Sequence, residues 1–72
     1  MIVQARWVDP TVTDQNAMLA ASRLIAKADV ENGAAANVWL ADVAAQHAAD
    51  CPPGWVPVVC IAGSPWFDPA VG

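Results

Sequence analysis

The segment that most constrains the fold is residues 34–49, in which Asp42 is the only charged side chain when histidine is neutral. Its alanine content predicts a helix over roughly 34–50 that ends before Pro52-Pro53. Small or apolar residues occur on nearly every side of this helix, and the face opposite its main apolar row holds Ala35, Val38, Ala45 and Ala49. A surface helix normally has one polar face, so we expect the second face to pack against another molecule.

The length of the chain makes its few large side chains important. A domain of 72 residues buries only about 60% of its unfolded surface, and alanines contribute little to that burial. We therefore expect most of the four tryptophans to meet in one core. The alternative is that Trp39 or Trp66 is an exposed anchor, since tryptophan is enriched at the centres of tight interfaces.

The charge distribution argues against several kinds of partner. The net charge is −4, and Arg6, Arg23 and Lys27 are the only cationic side chains. Binding to nucleic acid or to an anionic membrane needs a cationic surface, so we expect neither. The first residues lack the pattern of a secretory signal, and no run of eighteen apolar residues occurs, which favours a cytoplasmic location.

The pattern of apolar residues predicts an α+β fold in the order β-α-α-β. Residues 2–8 alternate as in a strand that ends at Asp9-Pro10. A first helix is predicted from an N-cap at Thr13 or Asp14 to a stop at Asn32-Gly33, with a second, thinner apolar stripe of Leu19, Ala26 and Val30. The short connection to the second helix favours an antiparallel two-helix hairpin.

The C-terminal part predicts a second short strand and a tail. Residues 56–61 suit a strand, which Pro57 restricts to an edge of the sheet or to a later start. The two terminal strands can then pair beneath the helical hairpin. The chain forms a single domain over residues 1–72, in which residues 63–72 are a Pro/Trp-rich tail that either docks or stays free.

His47, Cys51 and Cys60 are the candidates for chemistry. A thiol four residues from an imidazole can be activated as a nucleophile, but no residue that would orient the histidine is evident. The same three residues give a metal three donors, whereas a closed structural zinc site needs four. We therefore expect no catalytic site, no metal and no other cofactor. Free, buried thiols are the preferred interpretation for both cysteines, and a disulfide is the alternative.

These observations predict a non-enzymatic protein-binding or assembly module that binds a copy of itself or another protein. Its size and acidity are typical of bacteriophage or bacterial accessory proteins. Trp66-Phe67, flanked by prolines, either inserts into a partner or folds back on the chain. The predicted interface residues are Leu19, Ala26, Val30, Val38, Trp39, Ala45, Ala49, Trp66 and Phe67. The alternative is a small ligand-binding or regulatory domain whose pocket, between hairpin and sheet, uses Trp7, Trp39 and His47.

Overall fold

The computed structural model describes residues 1–61 of the chain, which form a three-stranded sheet with two helices. The α+β class is the one predicted from the sequence. In chain order the elements are β1 (Ile2–Val8), α1 (Gln15–Ala21), β2 (Arg23–Asp29), α2 (Gly33–Gln46), a 3₁₀ turn (Ala48–Asp50) and β3 (Val56–Ile61). No helix among the described residues has the length and apolar composition needed to cross a membrane.

The first strand is the centre of the sheet. The strand order is β2-β1-β3, and both neighbours run antiparallel to β1. Ala5, in the middle of β1, pairs with Ala26 on one side and with Val59 on the other. Every residue from Val3 to Val8 is buried. The sequence had allowed the first and last strands to pair, and β1 and β3 do so.

The prediction of a long first helix, and with it the two-helix hairpin, is wrong. Helix α1 ends at Ala21, and residues 23–29 form β2 between the two helices. The physical reason lies in β1, whose buried backbone N–H and C=O groups need partners along both edges. Strand β3 supplies those partners on one edge only, so residues 23–29 are recruited to the other. Ser22 marks the change, because its backbone N–H donates to Leu19 O.

Both helices begin at side-chain caps. Asp14, one of the two predicted N-caps, accepts a hydrogen bond from the Ala17 N–H at 3.1 Å. Asn32, which the sequence suggested as a helix stop, is instead the N-cap of α2 and accepts from the Ala35 N–H at 2.8 Å. Each cap satisfies one of the N–H groups that a helix leaves unpaired in its first turn.

Helix α2 covers one face of the sheet. Ala36 and Val43 on this helix are buried. Trp7 and His47 line the same cavity, so α2 lies on the face of β1 from which Trp7 projects. The helix packs mainly on β3 and β1 and least on β2. Part of β2 is therefore left uncovered on this face.

Polar side chains are buried on the other face of β1. The Arg6 Nε–H donates to Gln4 Oε1 at 2.9 Å, and Arg6 Nη1 donates to Ser22 Oγ at the same distance. Both Gln4 and Arg6 are buried. These hydrogen bonds tie the central strand to the junction between α1 and β2, and they offset part of the cost of burying polar atoms.

Candidate functional site

A cleft lies between the uncovered part of β2 and the C-terminal end of α2. Its volume is about 270 Å³. Two of the residues that line it, Trp7 and His47, are among the three predicted to form a pocket, whereas Trp39 is not a lining residue. The full lining consists of Trp7, Arg23, Leu24, Ile25, His47 and Asp50. The cleft therefore combines an apolar surface with three polar or ionisable side chains.

A β-bulge in β2 explains why three consecutive residues reach this cleft. Ala5 pairs with Ala26, but the next residue, Arg6, pairs with Leu24, so Ile25 is one extra residue in the ladder. Side chains in a regular strand alternate between the two faces of the sheet. A bulge locally breaks that alternation and redirects the side chains next to it. Arg23 pairs with Trp7 and shares its face of the sheet, whereas Leu24 pairs with Arg6, so the cavity reaches β2 at the bulge itself.

Arg23 is the cationic group of the cleft. Its guanidinium carbon lies 5.8 Å from the centroid of the Trp55 ring, at the distance of a cation–π contact. The structure shows no hydrogen bond or ion pair from Arg23 to any residue within 1–61. A guanidinium over an aromatic ring still has its N–H donors available in its own plane. Arg23 is therefore held in position with its donors free.

His47 and Asp50 form the opposite end of the cleft. His47 is the C-cap of α2, and its Nδ1 lies 3.8 Å from Asp50 Oδ2. The two side chains are 45% and 78% exposed, so solvent screens the interaction strongly. At that distance the pair attracts when His47 is protonated but makes no direct hydrogen bond.

The cysteines do not join His47 in a reactive cluster. Cys51 donates its thiol to Pro52 O and Trp55 O, both at 3.4 Å, and Cys60 is fully buried opposite Gln4 in the sheet. Both thiols are free. Burial raises the pKa of the Cys60 thiol, and the nearby Arg6 only partly opposes this effect. Within residues 1–61, no three His, Cys, Asp or Glu side chains are grouped to hold a metal ion.

The predicted interface residues are scattered over the fold. Leu19 is only 5% exposed and belongs to the core. Ala26 lies in β2 and Val30 directly follows it, so the predicted helical stripe of these three residues does not form. Trp39 is half-buried, whereas Val38, Ala45 and Ala49 are exposed. Trp66 and Phe67 lie outside the described residues.

The exposed side of α2 presents a row of small and apolar residues. We call this row the α2 stripe, and it consists of Ala34, Val38, Ala41 and Ala45, all of them exposed. Val38 is 73% exposed, the highest value among the exposed large apolar side chains of the described residues. The row follows a helical spacing of four, three and four residues, and it lies opposite the buried Ala36 and Val43.

The sheet edges are less suited to association than the α2 stripe. Among the described residues, β2 and β3 pair with no strand on their outer edges. Strand β2 has the bulge at Ile25 and a central Lys27, and β3 has Pro57. Bulges, lysines and prolines are the features with which natural sheets discourage the addition of a further strand.

Sequence reasoning missed Arg23, Leu24, Ile25 and Asp50 as cleft residues. The first three lie in residues predicted to be helical, and the bulge that gathers them has no evident signature in the sequence.

No protein-family model, curated protein or solved structure matches this chain.

Proposed function

We propose that the protein is a non-enzymatic protein-binding module that associates with a second copy of itself through the α2 stripe. The observation that supports this most directly is the 73% exposure of Val38 on a helix face otherwise lined by alanines. Isolated exposed apolar residues are ordinary on a protein surface. A continuous row of them along a helix has the form of a helix-packing surface.

The spacing of the stripe suits a two-fold contact. Its intervals of four, three and four residues read the same in both directions. In an antiparallel pair of helices, Ala34 of one copy therefore lies opposite Ala45 of the other, and Val38 lies opposite Ala41. Such a contact is isologous and closes as a dimer. The alanines allow the helix axes to approach to about 8 Å, the short end of the usual range.

The size of the stripe predicts that this association is weak. Helix α2 has 14 residues and is about 21 Å long and 10 Å wide. Each copy thus contributes roughly 200 Å², or about 400 Å² in total, against 1,200–2,000 Å² in a stable interface. At about 25 cal/mol per Å² the gross gain is about 10 kcal/mol, which lies within the 4–15 kcal/mol that association itself costs. Trp66 and Phe67 remain predicted contributors to the contact.

Sedimentation equilibrium of the full chain, from about 20 µM to 1 mM, tests the proposal. We expect a reversible monomer–dimer equilibrium that Ala45→Arg shifts towards monomer, since an arginine at this position crowds the helix contact. Ala20→Arg is the matched control, because Ala20 is also an exposed helical alanine but lies on α1. A wild-type chain that remains monomeric at 1 mM would refute the proposal, as would equal effects of both variants.

The cleft favours a second function, small-molecule binding, which is the alternative predicted from the sequence. We infer that the domain can also bind a small molecule between β2 and the end of α2, in contact with Trp7 and His47. The supporting observation is a cavity of about 270 Å³ that places Arg23 and two other ionisable side chains beside Trp7 and Ile25. Thermal stabilisation by a small molecule, without a change in the mass of the particle, would support this function. A screen without any stabilising compound would count against it.

A further inference from the structure

We propose that the cleft takes a small carboxylate with an aromatic or branched apolar body. Arg23 receives the carboxylate, and the body lies against Ile25 and the Trp7 indole. This inference rests on the second proposed function, binding of a small molecule in the cleft. It adds the chemical class of the ligand and the residue that selects it.

The surroundings of Arg23 suit a carboxylate. The chain has seven acidic residues, yet none within 1–61 forms an ion pair with this guanidinium. Its contact is instead with the uncharged Trp55 ring at 5.8 Å. A cation–π contact of this kind leaves the planar N–H donors free. Those donors match the two oxygens of a carboxylate, and pairing with them strengthens each hydrogen bond.

The charge balance of the cleft also favours an anion over a cation. The cleft contains one acidic side chain, Asp50, whose carboxylate already faces His47 at 3.8 Å. Among the described residues, no acidic side chain forms an ion pair with Arg23. An anionic ligand therefore gains a new ion pair at Arg23. A cationic ligand would be repelled by Arg23.

The volume and lining of the cleft set the size of the ligand. A volume of 270 Å³ is about nine times the share of one water molecule in the liquid. It lies just below the range of about 300–1,000 Å³ for drug-sized ligands. Ligands of about ten non-hydrogen atoms fit this space. We expect dissociation constants of roughly 0.1 to several mM for such small ligands.

The test uses three probes of one shape and different charge, followed by NMR of the ¹⁵N-labelled full chain. Phenylacetate is the anion, phenylacetamide its neutral counterpart and phenethylamine the cation. We expect phenylacetate to shift the Trp7 indole N–H and the Arg23 Nε–H saturably. The Trp39 indole, which does not line the cleft, serves as an internal reference. Phenylacetamide and phenethylamine should bind at least about tenfold more weakly, because each lacks the charge-assisted pair with Arg23.

A pair of variants separates the role of Arg23 from that of overall charge. Arg23→Gln should weaken phenylacetate binding about tenfold, whereas Lys27→Gln removes the same charge from the same strand and should leave it unchanged. Equal losses in both variants would overturn the proposal. The comparison of the three probes on the wild-type chain keeps the proposal testable if Arg23→Gln does not fold.

The outcomes distinguish the ligand class from the existence of the site. If phenylacetamide or phenethylamine binds at Trp7 as tightly as phenylacetate, the carboxylate proposal falls and small-molecule binding in the cleft stands. If none of the three probes produces saturable shifts at Trp7, both fall. Neither result bears on self-association, which is measured without any ligand.

Discussion

Replacing one valine on each side of α2 tests the orientation of this helix, on which both proposed sites depend. Val43 is 7% exposed and faces the sheet, whereas Val38 is 73% exposed on the α2 stripe. The changes Val43→Ala and Val38→Ala remove the same two methyl groups from the same helix. Both also gain the same helix propensity, about 0.5 kcal/mol. The difference between the two variants therefore isolates packing against the sheet.

The burial of each side chain sets the expected size of the effects. At about 0.8 kcal/mol per buried carbon, Val43→Ala loses about 1.6 kcal/mol of burial and leaves a small cavity that adds to this cost. After the gain in propensity, the free energy of unfolding should fall by about 2 kcal/mol. Only about a quarter of Val38 is buried, so its loss of about 0.4 kcal/mol is balanced by propensity. Its expected net change is close to zero.

Urea denaturation followed by circular dichroism measures both changes. The protein should be kept near 10 µM, where the expected weak association does not contribute. For a domain of this size a difference of 2 kcal/mol corresponds to about 8–16 °C in the melting temperature. If Val38→Ala destabilises the monomer as much as Val43→Ala does, the helix does not lie as described, and both the α2 stripe and the cleft lose their geometric basis.

Three further predictions concern the cap of α2, an exposed carboxylate and the buried thiol. Asn32→Ala removes the acceptor of the Ala35 N–H and should lower the free energy of unfolding, measured by urea denaturation, by about 1 kcal/mol. Asn37→Ala, at an exposed position of the same helix, should not lower it. Thr11 donates its hydroxyl and its backbone N–H to Asp9, and these hydrogen bonds lower the pKa of Asp9. The resulting stabilisation should be fully present above the ordinary aspartate pKa and should disappear as the pH falls through the lowered pKa of Asp9. NMR titration should show a higher pKa of Asp9 in Thr11→Ala than in the wild type. An unchanged pKa would contradict the role given to Thr11. Cys51 should react with a thiol reagent before Cys60, because burial raises the pKa of the Cys60 thiol. Cys60 should react only as the chain unfolds, and equally fast labelling of both thiols would count against the burial of Cys60.

Local patterns predicted the first and last strands of the chain and the second helix. The alternation in residues 2–8, the alanine-rich segment after Gly33 and the short apolar run before Ile61 each became the expected type of element. Asp14 was also predicted as an N-cap. These features depend on residues close in the sequence, so a single sequence contains enough information to find them.

The third strand and the cleft could not be predicted in the same way. Residues 23–29 have apolar residues at both helical and strand spacings, and their state is decided by β1, which needs hydrogen-bond partners along a second edge. Arg23, Leu24 and Ile25 come together through a bulge that depends on the pairing register with Arg6. Register is a property of the assembled sheet, so no local pattern contains it. Trp7 and His47 were found because each belongs to an element that was itself predicted correctly.

The two proposed sites lie on opposite sides of α2, and this arrangement makes them separable by experiment. The α2 stripe faces away from the sheet, whereas His47 lies at the end of the helix on the side that borders the cleft. Substitutions at distant positions without shared contacts usually have additive effects. Ala45→Arg should therefore shift the monomer–dimer equilibrium and leave phenylacetate binding unchanged, and Arg23→Gln should do the reverse. If Ala45→Arg also changed phenylacetate binding, dimerisation and ligand binding would be coupled. Such coupling is reciprocal, so phenylacetate would then also change the dimerisation constant.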